Sequence, residues 1–189
     1  MKKFFSNDWV KCIAVLLIIA LVSGGLLTVL NDLFYVSSEE RTGRAIKKIY
    51  GEEKEYTVVL DSENGDDAVE YDFGKIEKIY AVENDTLFRA TGYNGYKNGT
   101  VTLWVKTIKD GDGYKIDKVI LESYDKQTLM SKLDKAYYDG FLKDVTDTYY
   151  TVDAGGENSN PVTGATRSAT AGVNAVNCVV KYLNEKAGE

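Results

Sequence analysis

The chain has 189 residues, 44% hydrophobic and 12% aromatic, which suits one ordinary globular domain plus a short appendage. Its 23 basic and 29 acidic residues leave a net charge of −6; residues 1–30 carry +2, so the rest stands at −8 and repels phosphate backbones, which argues against a nucleic-acid partner. With no histidine and only Cys12 and Cys178, the chain lacks the groups for His-based acid–base catalysis, a Cys/His zinc site or its own Cys-ligated iron–sulfur cluster, so any redox role requires an organic cofactor.

Residues 12–31 form an uncharged apolar run of the length a helix needs to cross a hydrocarbon core of roughly 30 Å. Lys2, Lys3 and Lys11 precede it, and Asp32, Glu39 and Glu40 follow, which places a stub of residues 1–11 in the cytoplasm and the body outside. A cleaved signal peptide is the competing reading; the run exceeds the usual ~7–15 apolar residues and no A-x-A site follows it. Paired Gly24 and Gly25 would let a neighbouring helix approach, as in many spanning helices.

Ser37, three residues before Glu40, reads as a capping box that opens a helix ending at Gly51, so that 32–55 is a juxtamembrane helix and linker. Five β-rich runs follow, at 56–60, 76–82, 87–91, 100–108 and 114–121, with Asn64-Gly65, Asn94-Gly95, Asn98-Gly99 and Asp110-Gly111 as turn chemistry. Val101, Leu103 and Val105 alternate with Trp104 and Lys106, the pattern of an antiparallel sheet covered by helices on one side. Tyr93, Tyr96 and Trp104 read as core aromatics. Residues 127–142 are helical or turn-linked, 153–160 form a polar loop, and Ala169, Val173, Val176, Val180 and Leu183 mark the apolar stripe of a final helix. The expected fold is α+β: one N-terminal transmembrane helix, then one extracytoplasmic domain, residues 56–189, with a mainly antiparallel sheet packed by helices. Sequons at Asn84 and Asn98 read as turn composition in a Lys/Tyr-rich chain of bacterial character.

Thr163-Gly164-Ala165-Thr166, followed by Arg167 and Ser168, stands just before that last helix. It is open to a plain reading, a turn with Thr163 or Thr166 as N-cap. It also resembles the S/T-G-A-T flavinylation signature of the FMN-binding domain family, which includes the G subunit of Rnf ion-translocating electron-transport complexes and the C subunit of the sodium-pumping NADH:quinone oxidoreductase. The resemblance implies FMN joined covalently to Thr166 by a phosphoester, with Thr163, Gly164, Ala165, Arg167 and Ser168 around it; a helix start with free N–H groups suits a phosphate. Ser168 and Thr170 are the alternative acceptors.

A second stretch, Ala90–Tyr96 and then Val119–Ser123, looks like the family's glycine–tyrosine entry and acidic strand end, and implies flavin contacts from Glu122, Thr128 and Leu129. Where relatives carry a threonine–proline–glycine turn, this chain keeps only Thr128, and Asn160 stands where they commonly have aspartate. The resemblance further implies a flavin transferase for maturation, membrane subunits of an Rnf-type complex as partners, location in the cell membrane, and electron relay as a subunit rather than a stand-alone enzyme. Two rivals remain: a free-standing flavinylated carrier for extracellular reduction, and a flavin-free anchored scaffold.

Overall fold

A computed structural model describes residues 8–34 and 37–187, in two compact units, Met1–Arg41 and Thr42–Glu189. The expectations for residues 1–7, including Lys2 and Lys3, lie outside the described residues. In the first unit, α1 (Asp8–Phe34) is continuous, and its stretch Trp9–Asn31 is long and apolar enough to cross a membrane, three residues longer at its start than the apolar run alone. No part of that stretch is buried by protein, as a lipid-facing helix requires.

The second unit is α+β. Helix α2 (Ser38–Tyr50) starts where Ser37 Oγ accepts the Glu40 N–H at 3.1 Å, and stops at Gly51, whose φ of +84° ends the helical path. Strands β1 (Thr57–Asp61), β2 (Val69–Tyr71), β3 (Gly74–Val82), β4 (Asp85–Gly92), β5 (Val101–Asp110) and β6 (Gly113–Tyr124) form one antiparallel sheet in the order β1-β3-β4-β5-β6, with β2 paired to β3. Strand β2 was missed in sequence because three residues are too few to show an alternation. A short helix α3 (Lys135–Asp139) and the long α4 (Thr166–Ala187) complete the fold.

Helix α4 lies on one face of the sheet. Ala169, Val173, Val176, Val180 and Leu183, the stripe read from spacing, are all buried against Ile76, Phe88, Ala90, Leu103 and Val105. Small residues set the distance: a Cβ on Gly92 would stand 1.9 Å from the Ala171 carbonyl oxygen, so β4 and α4 touch backbone to backbone. Gly92→Ala is expected to lower unfolding stability by about 1–3 kcal/mol or more in urea titration, because the helix must move as a body.

The sheet is covered on both faces, which corrects the one-sided expectation. Trp104 is only 3% exposed and packs with Tyr80, Val82 and Leu87 under Ala45, Ile46 and Ile49 of α2. Helix α2 is therefore part of the folded body rather than a linker before residue 56, and the compact unit begins at Thr42. Its amphipathic spacing buries Thr42, Ala45, Ile46 and Ile49 and leaves Arg44, Lys47 and Lys48 exposed. A β-bulge between Ile76 and Lys78 lets Ile76 and Ile79 share the α4 face while Lys78 and Tyr80 turn to the other.

Both cysteines are free; Cys178 is buried on α4, and burial, then the nearby Glu70 charge, push its thiol up to about 12, so it stays protonated at neutral pH.

Candidate functional site

Ala165 occupies the N-cap of α4: its carbonyl accepts the first helical bond, from Ala169 N–H at 2.9 Å. Alanine has no side-chain acceptor to return to the helix, so the N–H groups of Thr166, Arg167 and Ser168 have no protein acceptor among the described residues. The plain N-cap reading of Thr163 or Thr166 therefore does not hold: Thr166 is the first helical residue, and neither hydroxyl caps the helix. Gly164 makes the approach with φ +76°.

The hydroxyls on this segment differ in availability. Ser168 is buried and donates from Oγ to the Thr128 carbonyl at 2.9 Å, and Thr170 Oγ1 bonds back to the Thr166 carbonyl at 2.9 Å. Thr166 is exposed and its hydroxyl has no hydrogen-bond partner among the described residues. Of the three hydroxyls weighed as acceptors, it is the one free to react.

Beside it opens a cavity of about 320 Å³, lined by Tyr96, Thr128, Leu129, Gly164, Ala165, Thr166, Arg167 and Ser168. Seven of these eight were singled out in sequence, from two segments almost forty residues apart. The volume lies at the low end of the roughly 300–1,000 Å³ usual for ligand pockets. Thr163 stands just outside; its carbonyl accepts a long bond, 3.4 Å, from Lys132 Nζ, which lies over Gly164. Lys132 and Arg167 thus place two cations beside the free amides, an arrangement that favours a phosphate.

The cavity walls are held by Gln127, which sequence reading passed over. This buried amide accepts the Tyr96 N–H at 2.9 Å and donates to the Asp125 carbonyl at 2.9 Å. Gly95 and Gly99 leave room for it, since a Cβ on either would stand 2.5 Å from Gln127 Nε2. Hydrogen bonds therefore run from Tyr96 through Gln127, and from Thr128 to Ser168 at the start of α4. Asn94, Lys97, Asn98, Lys126 and Leu129 on these two loops all have φ between 52° and 63°, five of the six such non-glycine residues among those described. For Lys97, Lys126 and Leu129 this costs roughly 1–2 kcal/mol each, whereas asparagine adopts it readily. Tyr96, expected in the core, instead faces the cavity, with Lys97 Nζ 5.5 Å from its ring centre; the Gly95-Tyr96 pair in a turn was the available signal.

Glu122 does not join the site. It turns to the sheet face away from α4, where Arg89 Nε donates to it at 2.7 Å; Arg89 also bonds Glu77 at 2.9 Å, and Thr91 Oγ1 donates to Glu77 at 2.7 Å. Burial raises the Glu77 carboxyl, but the Thr91 hydrogen bond and the Lys75 and Arg89 charges outweigh it and hold it below the ordinary range. That stabilisation is present at neutral pH and is lost as the pH falls through the depressed value. Glu122 is a strand-end member of this ion-pair network.

Asn160 also has a structural duty. It is buried, and its Nδ2 donates to the Tyr137 carbonyl at 2.9 Å while its own N–H donates to Thr151 O at 2.8 Å. An ionised aspartate has no proton to give there. Asn160→Asp is expected to cost about 1–3 kcal/mol of stability at neutral pH, read by thermal or urea unfolding. No family model matches the chain, and no curated protein matches it.

Proposed function

We propose that the protein is a membrane-anchored electron carrier bearing one FMN esterified to Thr166, acting as a subunit of an Rnf-type ion-translocating complex. The observation that carries the reading is the cavity at the uncapped start of α4, into which a free threonine hydroxyl opens beside unpaired amides. The residues suit the group. Thr166 would supply the ester oxygen; the N–H groups of Thr166, Arg167 and Ser168, with the Arg167 and Lys132 charges, would hold the phosphodiester; Gly164 and Ala165 leave space; Tyr96 and Leu129 offer apolar walls. A flavin transferase would join the FMN part of FAD to the hydroxyl, with AMP leaving and the hydroxyl proton passing to the medium. When bound, the flavin supplies the electron chemistry that the chain's own side chains lack.

The body lies outside the cell in this reading. Lys2, Lys3 and Lys11 precede the span; Arg41, Arg44, Lys47 and Lys48 follow it within about twenty residues in sequence, but a folded body of this size is exported largely regardless of such charge. Protease added to intact cells should digest residues 42–187, and full protection would reverse the topology.

The decisive measurement is the intact mass of the full chain coexpressed with a flavin transferase, and of the chain from its native membrane. Both should exceed the polypeptide by one FMN less one water and fluoresce in a denaturing gel. A native chain at polypeptide mass would favour the flavin-free scaffold, and copurification without membrane subunits the free-standing carrier.

A further inference from the structure

The three loops around the Thr166 cavity, residues 93–100, 124–132 and 161–168, carry Lys97, Lys126, Lys132 and Arg167 against a single acid, Asp125. Their net charge is +3, although Thr42–Glu189 as a whole holds 19 basic and 25 acidic residues and stands at −6. One phosphodiester at Thr166 would neutralise one of these charges and leave a surplus of two. The same loops carry exposed apolar groups: Leu129 and Tyr124 are each 52% exposed, and Tyr96 is 37% exposed. Two of these loops are fastened to each other by the Gln127 amide, which accepts from the Tyr96 N–H and donates to the Asp125 carbonyl.

We propose that these net-cationic loops beside the apolar cavity, on which Lys126 alone is paired with an acid of the loops, Asp125, at 3.6 Å, are the docking face for a protein partner that presents an acidic surface and a redox group of its own. The inference takes the flavin site proposed above as its centre. An electron carrier must bring its cofactor close to another redox centre and then release it, which small interfaces with complementary charge achieve: the charges raise the encounter rate and orient the pair, while the limited apolar area keeps the complex short-lived. On a body of net negative charge, a local positive field at the mouth steers an acidic partner to that one place. An anionic lipid surface or the acidic body of a second copy would answer to the same cations, and both are separable outcomes.

The test uses the full chain in its own membrane, with Tyr124, exposed at the end of β6 where the loop to the cavity residues Thr128 and Leu129 begins, replaced by the photocrosslinker p-benzoylphenylalanine. Irradiation followed by mass spectrometry should give an adduct to an Asp/Glu-rich peptide of a redox protein. The same probe at Lys109, at the far end of β5, should give none. Lys97→Glu with Lys126→Glu should lower the adduct yield about tenfold or more, and added salt should lower it in the unaltered chain. Intact mass of the same samples reports flavin content separately. Adducts to lipid, to a second copy or to a peptide without acidic residues would overturn the inference, as would a yield indifferent to the double substitution. A flavin-bearing chain without the charge-dependent adduct sinks the docking face alone; a charge-dependent adduct on a flavin-free chain sinks the cofactor reading and leaves the docking face standing.

Discussion

Thr166→Val is expected to yield a full-length, folded and colourless protein under conditions in which the unaltered chain carries one FMN. The loss should be near complete, because neither alternative acceptor on α4 is placed to replace it. Ser168 is buried with its hydroxyl given to Thr128, and the Thr170 hydroxyl is turned back onto its own helix. Stability should change little, within about 0.5 kcal/mol, since Thr166 is exposed and its hydroxyl makes no protein hydrogen bond among the described residues. Intact mass and an unfolding curve on one preparation check both halves. Flavin retained on Thr166→Val would move the acceptor, with Thr163, exposed and without a side-chain hydrogen bond, next in line.

Lys78→Met should produce the largest loss of stability. Lys78 is 3% exposed; its Nζ lies 3.4 Å from Asp61 Oδ1 and 2.8 Å from Glu63 Oε2, and Asp61 is itself buried. Asp61 also accepts from Tyr80 Oη at 3.1 Å and from Asn64 Nδ2 at 2.9 Å, so it is the hub that fastens β1 and its following turn to β3. Removing the lysine leaves a buried carboxylate without its cation, a change that costs about 3–5 kcal/mol. The companion Asp61→Asn, combined with Lys78→Met, should recover a large part of the loss, because asparagine keeps polar contacts and brings no charge. Urea unfolding of the two single variants and the double one measures the coupling. A double variant no more stable than Lys78→Met alone would show that the cost lies in packing rather than in the stranded charge.

Local chemistry was legible where a residue's role depends on its neighbours in the chain. The apolar run that became α1, the 3.6-residue stripe of α4, the Ser37 cap and the alternation in β5 each report a face or an end of one element, and each was found within a few residues. Trp104 was read as core and is buried, but what covers it was illegible: alternation puts it on the second face of the strand, and only folding brings α2 there. Glu122 failed as a site residue because strand alternation sends it to the face where Arg89, thirty-three positions earlier, waits for it. Gln127 and Lys132 carry no motif; their meaning comes from Tyr96 and Thr163, which only folding brings to them.

By itself, then, the amino-acid order determined most of the elements, the apolar N-terminal helix and the turn that leads into the last helix, since these follow from periodicity, capping and the residues present. Tertiary structure alone decided that Thr166 has a free hydroxyl where Ser168 and Thr170 do not, that Leu129, Tyr96 and the start of α4 enclose one cavity, and that Lys132 reaches the carbonyl of Thr163 beside it. Those facts depend on which loops meet, and loops meet where packing of α4 against Gly92 and the Gln127 hydrogen bonds hold them, through contacts between residues far apart in the chain.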